Sequence, residues 1–465
     1  MIVLELNELT PSLIQRFMSD GSLPNFSRLY KESEIYTTTA EERAPHLDPW
    51  IQWVTVHCGL NFSDHGLQRL NEGHTLTVPR VWDLLTASGR RSWICGSMNV
   101  GDRPLNGGCL LPDPWTTKVR PQPAGLETFF SFVQRQVMEH TSAQSSTGAT
   151  DLLRFVAFLS SHGLSRHSVA AIVKQLLEEQ KAPVRWKRAA LLDKLQFDVF
   201  ASYYKKIRPH FATFFLNSTA HYQHLYWREM DPGVFQVQPT EAQRRTYQDA
   251  IAYGYRQMDG LIGRVFALAG RDTTVVMATA LSQQPCLMFE EQGGKFFYRP
   301  TDFGRLTDFA GIRGTYTVSP VMAHQFHLYF ETPEIAEEAA QRLMRIRFRS
   351  QQAIAVQRNG SGLFLGCRIY ERVSREATLT LEGLSTEVPF LDVFYQVDGV
   401  KSGMHHPDGM LWVRTPARTH AVHSTHVPLA TVAPTILAHF DVPRPHYMWP
   451  SIKEWTGAPA AGATA

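Results

Sequence analysis

Short, largely apolar runs separated by helix-like segments constrain the fold of this chain more than any other feature. The runs are Ile2–Leu6, Arg91–Gly96, Phe211–Leu216 and Thr273–Ala278. Apolar residues in unbroken succession are typical of strands buried on both faces, as in a parallel sheet. We therefore predict an α/β fold of three layers (αβα), with helices on both sides of a mostly parallel sheet.

Two segments depart from this alternation. Residues 125–210 carry long amphipathic stretches, which predict a helical insertion, and Gln352–Leu384 alternates like antiparallel strands. The predicted units are a first core part (1–124), the helical insertion (125–210), a second core part (211–330), a small α+β cap (331–397), a C-terminal core part (398–456) and a disordered low-complexity tail (457–465).

Composition excludes several classes of protein. Of 465 residues, 46 are Lys or Arg and 43 are Asp or Glu, so charge gives no general attraction to nucleic acid. No apolar window reaches about 18 residues, so no membrane span is expected. The five cysteines form no CxxC pair, which indicates neither a disulfide framework nor a structural zinc site. Met1 leads directly into the first apolar run without a basic segment, and we expect a cytoplasmic protein.

Polar residues follow the predicted strands, and ligands of open α/β sheets bind beyond the carboxyl ends of strands. The chain holds 19 histidines, several of them in these places. The candidate pocket contains Asn7, Asp48, Gln52, His57, Asn217, His221, His224, Ser282, Gln283, Lys401, His405 and His406, with Trp50, Trp53 and Tyr222 nearby.

Three motifs in the same order resemble the alkaline phosphatase superfamily, specifically its type I phosphodiesterase/nucleotide pyrophosphatase branch. They are the helix-like Leu23–Leu29, the turn Cys58–Gly66 and the late helix-like Val432–Leu437. The resemblance covers about residues 1–115, 211–285 and 398–450, and it implies an alkaline-phosphatase-like fold. It also implies hydrolysis or transfer of a phosphate ester by a hydroxyl nucleophile and two metal ions, usually zinc.

The family's reactive positions are largely replaced in this chain. Asn7 and Asn217 stand where the resemblance places metal-binding Asp residues, and Pro49 stands at the nucleophile position. Asp48 is the nearest reactive group to Pro49. Of the family's histidine ligands, His221 remains, together with His406, or His405 after a slip of one residue.

The loss of anionic ligands disfavours a two-metal site. We expect at most one Zn or Mn ion, held by His221, His406 and a carboxylate such as Asp48 or Glu8. Asp48 is then the nucleophile or base, and His221 and His406 are acid/base groups or metal ligands.

The remaining candidate residues suit a polyhydroxylated ligand, because amides donate and accept hydrogen bonds while aromatic rings cover sugar faces. The predicted substrate-binding residues are Asn7, Gln52, Trp53, Asn217, His224, Gln283, Lys401 and His405. The predicted function is a divergent phosphodiesterase/phosphatase-like hydrolase or group transferase whose small-molecule or glycan substrate is sugar- or nucleotide-linked. The alternatives are a non-catalytic protein that binds a glycan or a partner in a polysaccharide or cell-envelope pathway, and an ordinary two-metal phosphodiesterase.

Overall fold

Strands and helices alternate along most of the chain. The computed structural model describes residues 1–139, 148–319, 325–397 and 399–452. In chain order the strands are β1 (Ile2–Leu6), β2 (Glu34–Thr39), β3 (Ser92–Cys95), β4 (Cys109–Leu111), β5 (Phe211–Leu216), β6 (Val275–Ala278), β7 (Ser282–Pro285), β8 (Tyr298–Pro300), β9 (Tyr316–Ser319), β10 (Phe326–Phe330), β11 (Ile346–Phe348), β12 (Gln351–Gln352), β13 (Ile354–Asn359), β14 (Gly362–Cys367), β15 (Thr378–Leu381), β16 (Glu387–Pro389), β17 (Phe394–Gln396), β18 (Gly403–His406), β19 (Asp408–Arg414), β20 (Ala421–Val422) and β21 (Val427–Pro428). The α-helices are α1 (Pro11–Ser19), α2 (Pro24–Lys31), α3 (Pro49–Cys58), α4 (Phe62–His65), α5 (Val81–Ala87), α6 (Glu127–Glu139), α7 (Ala149–Ser161), α8 (Arg166–Glu179), α9 (Arg188–Ile207), α10 (Ser218–Met230), α11 (Glu241–Tyr247), α12 (Ala250–Ala269), α13 (Phe303–Phe309), α14 (Pro333–Met344), α15 (Phe390–Val393) and α16 (Val432–His439).

The central sheet has the strand order β20-β2-β19-β6-β1-β5-β3-β4, and β21 also pairs with β2. All neighbours run parallel except at β19, which is antiparallel to both β2 and β6. In the register of β1 and β5, Leu6 lies opposite Leu216. The residues that follow these two strands therefore emerge side by side at the middle of the sheet.

Helices cover both faces of the sheet. Along β1, Ile2, Leu4 and Leu6 join one apolar cluster with residues of α1, α2, α9, α10 and α12. Met1 and Val3 join the other cluster, with residues of α3, α5 and α16. This alternation is the side-chain period of a strand buried on both faces. The predicted three-layer α/β fold with a mostly parallel sheet is confirmed.

A third apolar cluster belongs to a small subdomain and spans Phe296 to Phe394. It contains two four-stranded sheets, β13-β14-β10-β9 and β12-β11-β15-β16, packed with α14. The expected cap (331–397) overlaps this cluster, which begins about 35 residues earlier in the chain. The domain boundaries themselves stay a prediction.

Two helix-like stretches of the sequence are interrupted in the structure. Residues 241–269 form two helices, α11 and α12, and Val427–Pro428 forms a strand ahead of the closing helix α16. The expected disordered tail lies outside the described residues. No helix within the described ranges is both long and apolar enough to cross a membrane.

Candidate active site

Four segments meet beyond the carboxyl end of β1. Asn7 and Glu8 follow β1 directly, and Asn217 opens α10 after β5. Asp48 occupies the N-cap position of α3. The antiparallel ribbon of β7 and β18 places His405 beside Gln283. The site is therefore built at the edge where the topology of an open α/β sheet favours ligand binding.

Glu8 is the centre of this arrangement. Its side chain is 2% exposed, and its backbone adopts a left-handed conformation with φ of +60°. Gln223 of α10 donates a hydrogen bond to the Glu8 carbonyl oxygen (2.8 Å), and Tyr255 of α12 donates to Gln223 (2.6 Å). A left-handed conformation is unfavourable for Glu by about 1–3 kcal/mol and persists only where its surroundings fix it, as they often do in functional sites.

Four side chains approach the Glu8 carboxylate. Asn7 Nδ2 donates to Oε1 (2.8 Å), and Gln283 Nε2 donates to Oε2. His224 Nε2 lies 2.9 Å from Oε2, and His405 Nε2 lies 3.4 Å from the same oxygen. Burial of a carboxylate is tolerated only with such compensation.

The ring of His224 lies between a backbone carbonyl oxygen and the Glu8 carboxylate. His224 Nδ1 lies 3.1 Å from the carbonyl oxygen of Gly403, which can only accept a hydrogen bond. A proton on Nδ1 leaves a neutral ring with a lone pair on Nε2, facing a carboxylate oxygen that also only accepts. A proton or a metal ion between His224 Nε2 and Glu8 Oε2 would relieve this opposition of two acceptors.

His405 lies between two carboxylates. Its Nε2 faces Glu8, and its Nδ1 lies 3.4 Å from Asp48 Oδ1. The approach of this ribbon to α10 requires Gly403, because a Cβ there would lie 2.3 Å from Gln283 Oε1 and 2.4 Å from the Gln223 carbonyl oxygen. Histidines that bind metals commonly use the second ring nitrogen for a carboxylate or carbonyl, as His405 and His224 do here.

Burial and charge shift the pKa values of these groups in different directions. Burial opposes ionisation of Glu8, but His224 and His405 outweigh it and hold the pKa of that carboxyl well below its usual range. Burial lowers the pKa of His224. Burial also acts against protonated His405, but Glu8 and then Asp48 outweigh it and raise the pKa of His405. Burial raises the pKa of Asp48, partly offset by His405.

Asn7 connects three parts of the site through its amide. Asn7 Nδ2 donates to Asn217 Oδ1 (2.7 Å) as well as to Glu8, and its Oδ1 accepts a hydrogen bond from Trp53 Nε1 (2.8 Å). Asn7 and Trp53 are both buried. Their predicted role as substrate-binding residues stays a prediction, and the bonds that the structure gives them are internal.

The other predicted residues lie at different distances from this centre. His221 is exposed on α10, one turn before His224. His406 follows His405 in β18 and accepts a hydrogen bond at Nδ1 from the backbone of Asp408 (3.2 Å). Gln52 is fully buried and donates to the His46 carbonyl oxygen (3.2 Å). The structure thus brings Asp48, His224, Gln283 and His405 together around Glu8, and leaves His221, His406 and Gln52 outside these contacts.

Lys401 supplies a further positive charge. It influences the pKa values of Asp48, His224 and His405, so its ammonium group lies within electrostatic reach of all three. Its Nζ lies 6.0 Å from the centre of the Phe297 ring. Lys401 is thus a cation within electrostatic reach of Asp48 and of the two imidazoles.

Glu8, Gln223 and Tyr255 belong to the site but were not among the residues predicted to bind substrate or to act in catalysis. Glu8 directly follows a predicted strand, which is a usable signal, and it entered only as a possible carboxylate ligand. Gln223 and Tyr255 lie inside amphipathic helices, where a polar residue has no local signature that distinguishes a site from a buried hydrogen bond.

The residues present fit one divalent metal ion. Among the described residues, Glu8, His224 and His405 form the group of possible ligands, with one ligand atom each and all three atoms within 4.8 Å of one another. Two imidazoles and one carboxylate are a common ligand set for zinc in catalytic sites. His221 and His406, the ligands expected from the sequence, are not in this group.

No protein-family model and no curated protein sequence matches the chain. Its fold is similar to that of several solved structures. One is phosphonoacetate hydrolase from Sinorhizobium meliloti 1021 in complex with phosphonoacetate, with 11% identity, 93% of each chain covered and a TM-score of 0.41. Another is murine ectonucleotide pyrophosphatase/phosphodiesterase 5, with 9% identity, 97% of this chain and 96% of that chain covered and a TM-score of 0.39. A third is the alkaline phosphatase PafA, with 10% identity, 97% of each chain covered and a TM-score of 0.44.

The sheet order and the two helical layers give the chain the three-layer α/β architecture that the sequence predicts. Identities of about a tenth and TM-scores below 0.5 describe a likeness in fold. They carry no argument about side-chain roles, substrate or metal.

Proposed function

We propose that this chain is a hydrolase or group transferase that acts on a phosphate ester or a related ester at a centre formed by Glu8, His224 and His405. The observation that carries the proposal is the convergence of these three side chains beyond the end of β1, next to Asp48 at the N-terminus of α3. The motifs that resemble the type I phosphodiesterase branch support the phosphate-ester chemistry.

Glu8, His224 and His405 are the residues that would hold a divalent metal ion. When bound, such an ion polarises a phosphoryl oxygen and lowers the pKa of a coordinated water. Gln283 and Asn7 keep the Glu8 carboxylate in place through hydrogen bonds. Gly403 fixes the ring of His224 through its carbonyl oxygen.

Asp48 has two possible tasks, and its position supports both. Asp48 Oδ1 faces His405 Nδ1, which orients the imidazole towards Glu8. The Asp48 side chain is 28% exposed, so it is accessible in part from solvent. Asp48 is therefore our candidate for the base or nucleophile, as the sequence predicts.

The charge around the centre suits an anionic ester. Lys401 lies within electrostatic reach of Asp48. Asp48 also lies at the N-terminus of α3, which is the positive end of the helix dipole. Such fixed positive groups stabilise negative charge that develops in a transition state. A sugar or nucleotide moiety on the substrate stays a prediction from the sequence.

The test is hydrolysis of bis-p-nitrophenyl phosphate and of nucleotide-sugars by the purified chain, with and without added zinc or manganese. We expect metal-dependent turnover that is lost in Glu8→Gln and His405→Asn and reduced at least about 100-fold in Asp48→Asn. His74→Asn is the matched control, because His74 is exposed in a separate turn. Equal turnover in wild type and Glu8→Gln would overturn the proposal.

A non-catalytic role is the second candidate. It is favoured by the resemblance, which places Pro49 at the nucleophile position, and by the amides of Asn7 and Asn217, which bond to each other. This role predicts thermal stabilisation by a glycan or nucleotide-sugar without product under any metal condition.

A further inference from the structure

Helix α8 in the helical insertion is amphipathic in the reverse of the usual sense. Its buried residues are the polar Ser168 and Gln175. Its exposed residues include Val169 (43%), Val173 (51%) and Leu177 (54%). A surface helix of a soluble protein normally turns its apolar stripe to the core.

The spacing makes these exposed residues a continuous stripe. Val169, Val173 and Leu177 recur every four residues, and Leu176 (53% exposed) lies beside them. We call these four residues the α8 stripe. Val169, Val173 and Leu177 line a shallow groove together with Leu164 and Ala170. The preceding helix α7 also exposes large aliphatic side chains, Leu152 (51%), Leu153 (70%) and Val156 (46%).

Cations border the α8 stripe. Arg166, Lys174 and Lys181 line the same groove, with Glu178 as the acidic residue among them. Glu178 is neutralised, since its carboxylate lies 2.8 Å from Lys187 Nζ and 3.8 Å from Lys174 Nζ. Within the part of the chain that the structure describes, no carboxylate pairs with Arg166 or Lys181 within 4.0 Å.

An apolar stripe with a basic border favours one kind of occupant. Two copies of this chain meeting face to face would bring their Arg166 and Lys181 side chains together, which is unfavourable for like charges. A bilayer with anionic headgroups offers an apolar interior for the stripe and negative charge for its border. Helices that lie in the membrane interface likewise place an apolar stripe beside Lys and Arg side chains.

We propose that α8 docks the protein reversibly on an anionic lipid surface, with the α8 stripe inserted at the headgroup boundary and Arg166 and Lys181 on the headgroups. This association is peripheral. It does not depend on the function proposed for the Glu8 centre.

The test is sedimentation of the full chain with phosphatidylcholine vesicles that contain or lack phosphatidylglycerol. We expect binding to the anionic vesicles only, weakened by salt. In Arg166→Gln/Lys181→Gln the partition coefficient should fall about 25-fold, from about fivefold for each cation. Val173→Ser/Leu177→Ser should abolish binding. These positions are exposed, so folding should be retained and is checked by circular dichroism.

The matched control is Leu384→Ser/Val422→Ser, which removes equally exposed aliphatic residues from other surfaces (56% and 59%) and should bind as wild type does. Three results would overturn the proposal. They are no binding to anionic vesicles, equal binding to neutral vesicles, and a dimer in light scattering that Val173→Ser/Leu177→Ser dissolves, since the last result would assign the stripe to a second copy.

Discussion

At the residue scale, the site depends on an exchange of roles between Asn7 and Glu8. The resemblance expects a carboxylate at position 7, and the chain places it one residue later. Asn7 then supplies an N–H donor to Glu8 and to Asn217, which a carboxylate cannot do. The left-handed backbone at Glu8 turns its carboxylate towards His224 and His405.

Asn7→Asp tests this exchange. The new carboxylate would lie against that of Glu8 and leave Asn217 Oδ1 without its donor. We expect the metal-free variant to lose about 1–3 kcal/mol in the free energy of unfolding, measured by urea denaturation. An excess of zinc should recover part of the loss. Asn359→Asp, at an exposed position, is the control. Unchanged stability of metal-free Asn7→Asp would contradict the hydrogen-bond role of Asn7.

Asp193 provides a second prediction at this scale. It accepts a hydrogen bond from Ser218, the first residue of α10, and burial raises the pKa of Asp193 to about 7. Because the pKa in the unfolded chain is about 3.9, the folded protein holds the extra proton between these values. The stability that the protonated carboxyl contributes is therefore lost as the pH rises towards 7.

Urea denaturation of wild type and Asp193→Asn measures this effect. Between about pH 5 and about pH 7, wild type should lose about 2 kcal/mol more than the variant, because the slope of about 1.4 kcal/mol per pH unit falls by half at the folded pKa. Asp272→Asn, at an exposed site, should behave as wild type does. Parallel pH profiles for wild type and Asp193→Asn would show that Asp193 is ionised throughout.

At the element scale, α3 is fixed to β1 by two polar contacts one turn apart. Trp53 donates to Asn7, and His57 Nε2 lies 2.9 Å from Glu5 Oε1. His57 and Glu5 are both at least 98% buried. These contacts set the height of α3 along the sheet, and so they set the position of Asp48 next to His405.

The buried pair can be tested by a double-mutant cycle. His57→Leu should cost about 3–5 kcal/mol in the free energy of unfolding, because it leaves the Glu5 carboxylate buried without its partner. Glu5→Leu/His57→Leu should cost clearly less, since no charge is left unpaired. If the loss in Glu5→Leu/His57→Leu equalled the sum of the losses in Glu5→Leu and His57→Leu, Glu5 and His57 would not interact.

Some elements of the fold can be predicted from the local sequence, and others cannot. β5 has the predicted bounds, because it is bordered by residues that end a strand locally. The ribbon of β7 and β18 has no such signal. Neighbouring residues of a strand face opposite sides, so its register decides whether His405 or His406 reaches Glu8. That register is fixed by pairing with residues more than 100 positions away.

At the scale of the whole molecule, the site combines residues from position 7 to position 405 beyond the carboxyl ends of the central strands. The strand pattern predicts that the site lies at these strand ends. The residues that follow β1 and β5 do lie side by side there. The choice between His221 and His224, one turn apart on α10, depends on how α10 packs against the β7–β18 ribbon, and the local sequence does not contain this information. The small subdomain core from Phe296 to Phe394 lies between the two strands of that ribbon in the chain.

The central claim is that Glu8, His224 and His405 share one divalent ion, and metal content tests it most directly. The chain is loaded with zinc, freed of excess and measured by elemental analysis. We predict about one zinc per chain, lost in Glu8→Gln, His224→Asn and His405→Asn and retained in His221→Asn and His406→Asn. Zinc that is retained in the first three variants and lost in the last two would contradict the account.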